Sequence, residues 1–216
     1  MQDVPKILEI LKKEYPSAKY YLNYTTPFEL YIAVVLSAQC KDEVVNETTK
    51  MLFKIYKTPK DYINAPNLAQ NIRFITFAQN KAGMIKKGCE TIMTTFGGKI
   101  PETMEELITI SGIGRKSANV ILQNAFNKVE GIVVDTHVIR LSQRLQLSVN
   151  NNPDKMEKEL MAIIPKEEWA HFPHIMKAHG RRVCMARPKC GACVLKSLCP
   201  SAFKISTTRP EPKAEE

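Results

Sequence analysis

Apolar residues along this chain recur at spacings of three and four and almost nowhere in alternation, a pattern that predicts helices. Pro5 opens a helix with Ile7, Leu8 and Leu11 on one face. Thr26-Pro27 reads as an N-cap followed by proline at the first helical position. The segment behind it, Phe28–Ala38, is apolar on nearly all sides, which predicts a central helix. Asp42 is expected to cap a third helix that turns Val44, Val45, Thr48, Met51, Leu52, Ile55 and Tyr56 inward. From Lys81 to Phe96, apolar residues return at Ala82, Ile85, Cys89, Ile92, Met93 and Phe96. That leaves Lys81, Lys86 and Lys87 mostly on the wetter side, and Gly97-Gly98 supplies the stop. Pro101–Ile110 predicts a shorter helix and Arg115–Ala125 another. Asp135-Thr136 starts one more after the short Ile132–Val134 run. Asp154–Ile164 is amphipathic through Met156, Leu160, Ile163 and Ile164, and Trp169 and Phe172 read as core. With no strand pattern of useful length and no internal repeat, the class is all-α. Ser201–Glu216, rich in Pro, Lys and Glu, is expected to fray.

The length of 216 residues fits one elongated domain or two small ones. Hydrophobic residues at 44% and charged residues at 25% exclude disorder over the whole chain. Thirty-one Lys and Arg against 22 Asp and Glu give a formal net charge of +9, which favours an anionic partner, either nucleic acid or a membrane surface. A membrane span is not expected. The longest apolar run, Leu30–Ala38, is interrupted by Tyr31 and Ser37 and falls far short of the ~20 residues a span requires. Met1–Pro5 lacks the basic and apolar regions of a secretory signal. The expected location is therefore intracellular, the cytoplasm or nucleoid in a prokaryote, where thiols stay reduced.

That location changes how the six cysteines are read. Cys40 and Cys89 stand alone in apolar surroundings and read as buried free thiols. Cys184, Cys190, Cys193 and Cys199 form a Cys-x5-Cys-x2-Cys-x5-Cys run, which in a reducing compartment suggests metal rather than disulfides. By spacing alone, four thiolates could hold a tetrahedral zinc or an iron–sulfur cluster. Arg181, Arg182, Arg187 and Lys189 around this run make either a solvated basic face or a set of phosphate contacts. His171, His174 and His179 have no nearby carboxylate pattern and read as structural or DNA-facing polar groups.

The most informative segment is Leu107-Ile108-Thr109-Ile110-Ser111-Gly112-Ile113-Gly114-Arg115-Lys116-Ser117-Ala118. An apolar helix end runs into Gly-Ile-Gly and then directly into a new helix. Gly112 and Gly114 allow a tight turn with successive N–H groups exposed, and the new helix adds its positive dipole end. Together they form a concave site for a nucleic-acid phosphate, with Ile113 pointing inward to pin the turn. This is the helix–hairpin–helix pattern, which holds DNA backbone without reading sequence.

Lys116 projects away from the inward stripe of Ala118, Ile121, Leu122 and Ala125. It reads as a solvated lysine, a phosphate contact, or a nucleophile. Its place in the first turn beside Arg115 disfavours the charged form, and a neutral amine is what attack on a sugar carbon requires. Asp135 reads as an N-cap, as a carboxylate facing a positively charged sugar, or as both.

These residues resemble the endonuclease III family of base-excision DNA glycosylases. The resemblance spans roughly residues 5 to 200. It is carried by Leu36-Ser37-Ala38-Gln39, Gly112–Val120, Val134-Asp135-Thr136-His137, His179-Gly180-Arg181 and the four-cysteine run. It implies a helix–hairpin–helix glycosylase fold of two helical domains flanking a DNA-binding cleft. Residues 21–129 would carry the hairpin, and residues 1–20 with 130–216 would carry the cysteine loop. It implies a monomer acting on double-stranded DNA that contains damaged bases or abasic sites, which removes the membrane from consideration. Lys116 matches the family's Schiff-base lysine and Asp135 its essential aspartate. Gln39 matches the glutamine that fills the void left by a flipped base. Phe77 stands where the bacterial enzyme has a leucine wedge. Gly112, Gly114, Arg115, Arg187 and Lys189 would contact DNA. The resemblance favours a [4Fe–4S] cluster over zinc on Cys184, Cys190, Cys193 and Cys199, although the family places six residues between its first two cysteines and this chain places five. The implied activity is removal of oxidised pyrimidines through a lysine Schiff base, with strand cutting 3′ to the abasic site by β-elimination. A glycosylase without lyase activity, acting on another lesion or mismatch, and a non-catalytic DNA-binding protein are the alternatives.

Overall fold

Helix starts follow the capping residues in the computed structural model, which describes residues 2–204. The expectation for Ser201–Glu216 lies outside it from residue 205 onward. Asp3 accepts from the Lys6 N–H to open α1, Val4–Glu14, whose buried face is Val4, Ile7, Leu8 and Leu11. Thr26 accepts from the Glu29 N–H to open α2, Pro27–Ser37, with proline in its first turn. Every residue of α2 from Leu30 to Leu36 is buried, as an all-round apolar helix requires. The following helices are α3 (Asp42–Ile55), α4 (Pro59–Asn64), α5 (Leu68–Asn71), α6 (Ala78–Phe96), α7 (Met104–Leu107), α8 (Arg115–Phe126), α9 (Thr136–Arg144), α10 (Pro153–Ile163) and α11 (Phe172–Arg182). The described residues contain no strand, and none of their helices is long and apolar enough to cross a membrane.

The chain divides into two compact units. One is Tyr20–Glu130; the other joins the residues up to Lys19 with those from Gly131 onward. In the first, α2 is the hub, packed against α3, α6 and α8, while α4 and α5 pack on α6. In the second, α11 packs against α9 and α1 around a core that includes Leu11, Val138, Leu141, Met156, Leu160, Phe172 and Ile175.

Five local expectations need correction. Asp42 is the first residue of α3 rather than its cap; Lys41 takes the cap position without a side-chain bond. The buried face of α3 is Val45, Thr49 and Leu52, while Met51 and Ile55 are 58% and 57% exposed. The Pro101–Ile110 helix shrinks to Met104–Leu107, opened by Thr103 accepting from the Glu106 N–H. Lys81 is not on the wet side: it is 4% exposed, and its ammonium donates to the carbonyls of Leu36 (2.8 Å) and Ala38 (2.5 Å). Cys89 is buried as expected, but Cys40 is only half-buried, because it sits in the turn after α2 rather than inside it.

Candidate functional site

The turn between α7 and α8 is built by contacts to α2. Gly112 has φ +87°, a left-handed backbone, and a Cβ there would stand 3.1 Å from a Val35 methyl. Ile113 is buried, and its N–H reaches the Ile110 carbonyl at 3.0 Å, so it pins the turn. Gly114 caps α8 with an extended backbone, is exposed, and has open space where a Cβ would lie. A bulky group such as a phosphate can therefore approach its backbone closely. The Ala118 N–H begins the intrahelical ladder by bonding Gly114 O at 2.9 Å. The N–H groups of a helix's first turn find no carbonyl within the helix, and with the positive dipole end they attract an anion. Arg115 and Lys116 are both exposed at this end, and Lys116 lies away from buried Ala118, Ile121 and Leu122.

A buried phenol braces this hairpin from behind. The Tyr31 hydroxyl donates to the Ser111 carbonyl at 3.2 Å, and burial raises its pKa so that it keeps its proton. Gly88 of α6 makes room for it: a Cβ there would fall 1.9 Å from the Tyr31 oxygen. Gly88→Ala should therefore displace Tyr31 and destabilise the protein by about 1–3 kcal/mol, as overpacking does. Urea melts of the two proteins check this, and equal midpoints would refute the bracing role.

Gln39 and Phe77 share an uncommon backbone. Both have left-handed φ, +52° and +59°, at non-glycine residues, and both are exposed, Phe77 at 59%. Such positions cost about 1–3 kcal/mol and gather at functional sites. Phe77 occupies the N-cap of α6 without providing a side-chain cap.

In the second unit, Asp135 is the N-cap of α9. Its Oδ1 accepts both the His137 N–H (2.8 Å) and the Val138 N–H (2.9 Å), bonds that leave Oδ2 out. The carboxylate is half-buried, so the cap role and a role toward a substrate are chemically compatible. Burial holds the neighbouring His137 below the usual histidine range, with Asp135 opposing and Arg140 reinforcing the shift. Burial likewise lowers His174 to about 4, which keeps it neutral. Lys116 belongs to the first unit and Asp135 to the second.

The four cysteines line one cavity, together with Arg144, Val183, Pro188, Lys189 and Lys196. The cavity has about 310 Å³ of empty space, counting what is open to solvent. Burial pushes the Cys193 and Cys199 thiols up, and the neighbouring thiols add to the shift. A metal centre there would have to bind these sulfurs as thiolates and displace their protons. Among the described residues, no group of three or more His, Cys, Asp or Glu is arranged to hold a metal ion. Arg187 and Lys189 are exposed on the loop between Cys184 and Cys190.

Sequence reasoning missed the residues that hold this loop. Arg144, in the last turn of α9, donates to the carbonyls of Met185 (2.6 Å) and Ala186 (3.0 Å) and to Cys184 Sγ (3.2 Å). Arg140 donates to the carbonyls of Cys184 (3.0 Å) and Gly180 (3.1 Å). His179 is 2% exposed, with Nδ1 2.9 Å from the Tyr15 hydroxyl and Nε2 3.4 Å from Cys193 Sγ, so it is structural and the DNA-facing reading falls. The spacing of Arg140 and Arg144, one helical turn apart, was the available signal.

Residues 32–166 match the family described as HhH-GPD superfamily base excision DNA repair protein. The chain is similar to endonuclease III of Synechocystis sp., 46% identical with 93% of each chain covered, and to endonuclease III of Bacillus subtilis, 41% identical with 92% of each covered. Its fold is similar to that of a trapped endonuclease III–DNA covalent intermediate, with a TM-score of 0.89, 44% identity, and coverage of 93% of this chain and 96% of that one.

Proposed function

Because the chain belongs to the endonuclease III family of HhH-GPD base excision repair proteins, it is a DNA glycosylase with AP lyase activity, and we propose that Lys116 and Asp135 remove oxidised pyrimidines from double-stranded DNA. The observation that carries this reading is Lys116 itself: an exposed amine in the first turn of α8, directly behind a hairpin suited to a phosphate.

DNA is the partner, and the chain acts on it as a monomer wherever the DNA resides, the nucleoid in a prokaryote. The hairpin at Gly112, Gly114 and Arg115 takes a backbone phosphate, while Arg187 and Lys189 take others. Gln39 fills the space vacated when the damaged nucleotide turns out of the stack, and Phe77 wedges into the base step; the flip costs a few kcal/mol in an intact duplex and less at a lesion. The Lys116 amine attacks C1′ with its lone pair and gives up a proton, and the glycosidic bond breaks with its electron pair leaving on the base. Asp135, its Oδ1 engaged by α9, stabilises the positive charge developing on the sugar and assists proton transfer. Opening of the sugar ring, with the C1′–O4′ bond broken and O4′ taking up a proton, gives the C1′–lysine imine, which once protonated acidifies C2′. Loss of a C2′ proton expels the 3′ phosphate, and water then releases Lys116.

The four thiols of Cys184, Cys190, Cys193 and Cys199, which line one cavity, are the donor set of a [4Fe–4S] cluster. The four cysteines would hold it as thiolates, and so bound it would cross-link one short segment. Arg144 and His179 support that segment from the protein side, and Arg187 and Lys189 are thereby presented to DNA.

Duplex DNA carrying one oxidised pyrimidine tests the proposal. Release of the modified base together with a strand cut 3′ to the site is expected. Base release without cutting would indicate a glycosylase alone, and binding without either would indicate a scaffold.

A further inference from the structure

Lys81 lies outside the chemistry just described, yet it is buried and its ammonium holds the turn that carries Gln39. We propose that Lys81 is a positioning residue that fixes Gln39 for the nucleotide-flipping step. The inference rests on the reading of Gln39 as a void-filling group.

One peptide plane carries the argument. The Lys81 ammonium donates to the carbonyl of Leu36 at 2.8 Å and to that of Ala38 at 2.5 Å. The Ala38 carbonyl is part of the planar peptide that begins Gln39, so holding that oxygen fixes the direction from which Gln39 starts. The lysine reaches this turn from the first turn of α6, where its backbone N–H makes the ordinary helical bond to the Phe77 carbonyl at 3.0 Å. Its side chain thus anchors the residue before the left-handed position at Gln39.

The charge suits the place. The last carbonyls of a helix lack intrahelical donors and carry the negative end of its dipole. No backbone N–H caps α2 at Ala38, and the Lys81 ammonium takes that role. Burial lowers the lysine's pKa, and Cys40 nearby opposes the shift. A methionine of similar length would fill the volume and leave both carbonyls without their donor. The turn could then relax out of the left-handed backbone at Gln39.

The test compares borohydride trapping of Lys81→Met and wild type on two abasic-site DNAs, one duplex and one single-stranded. Single-stranded DNA has no opposite base and no void to fill. Trapping on duplex should fall about ten- to hundredfold, the scale of a lost charged hydrogen bond, while trapping on single strands stays within about twofold. An equal loss on both DNAs, or no loss on either, overturns the proposal. Gln39→Ala is measured alongside. If it shows no duplex-selective loss, the void-filling reading fails and this inference fails with it. If it does and Lys81→Met does not, only the lysine's role falls. Adding Gln39→Ala to Lys81→Met should cost nothing further, whereas independent effects would multiply. Thermal melts confirm folding, and wild type and variants are all assayed below the lowest of their melting temperatures.

Discussion

Lys116→Ala should bind abasic-site duplex DNA, form no borohydride-stable adduct, and cut the strand at least about a thousandfold more slowly than wild type, as expected when a nucleophile is removed. The structure makes this a clean experiment. Lys116 is exposed on the face of α8 opposite Ala118, Ile121 and Leu122, so its removal opens no cavity. The hairpin itself is held by Gly112, Ile113 and the Tyr31–Ser111 bond, none of which involves the lysine side chain. A loss of activity therefore reports chemistry rather than folding. Lys116→Arg separates charge from nucleophilicity: it preserves the phosphate attraction, and it too should give no adduct. A trapped complex in either variant would remove Lys116 from the nucleophile's place.

The second large effect concerns the four cysteines. Wild-type protein should be brown and carry about four irons per chain. Cys193→Ser should lose the colour, and its melting temperature should fall by about 10 °C or more, because metal binding and folding are coupled. Its DNA affinity should fall too, with a shallower salt dependence, because Arg187 and Lys189 would no longer be presented together. Colourless wild-type protein containing one zinc would overturn the cluster. A variant that loses iron but melts like wild type would overturn the structural role. Cys193 is the informative choice because its sulfur also meets His179, which leads through Tyr15 into the core.

How far the sequence alone reaches can be seen residue by residue. Thr26-Pro27, Asp135-Thr136 and Gly97-Gly98 mark helix ends by local chemistry, and each lies at a boundary of the structure. The Gly112–Lys116 hairpin was legible because glycines and a following helix leave few alternatives. The helices α4 and α5 escaped notice because six and four residues hold too few turns for a period to show, even though Thr58 and Asp61 form a full capping box at the start of α4. Lys81 was misplaced by its charge. At intervals of four it is in line with Ile85 and Cys89 on the buried stripe, and its partners, the carbonyls of Leu36 and Ala38, are backbone atoms some forty residues away. Met51 and Ile55 were assigned inward by hydrophobicity alone, which cannot tell an apolar residue facing a neighbour from one facing solvent. Arg144 looked like an ordinary surface arginine, because a loop that comes near only in the folded chain gives it its role.

The second unit is assembled from both sides of the first, and this bears on synthesis. The apolar face of α1, with Ile7, Leu8 and Leu11, emerges from the ribosome first, yet its packing partner α11 ends only at Arg182. At about 5–20 residues per second, the nascent α1 waits roughly 8–30 s with that face uncovered, while the whole Tyr20–Glu130 unit is completed and free to fold. The unit bearing the hairpin and Lys116 is thus complete before the other, whose two segments can meet only once α11 has been made.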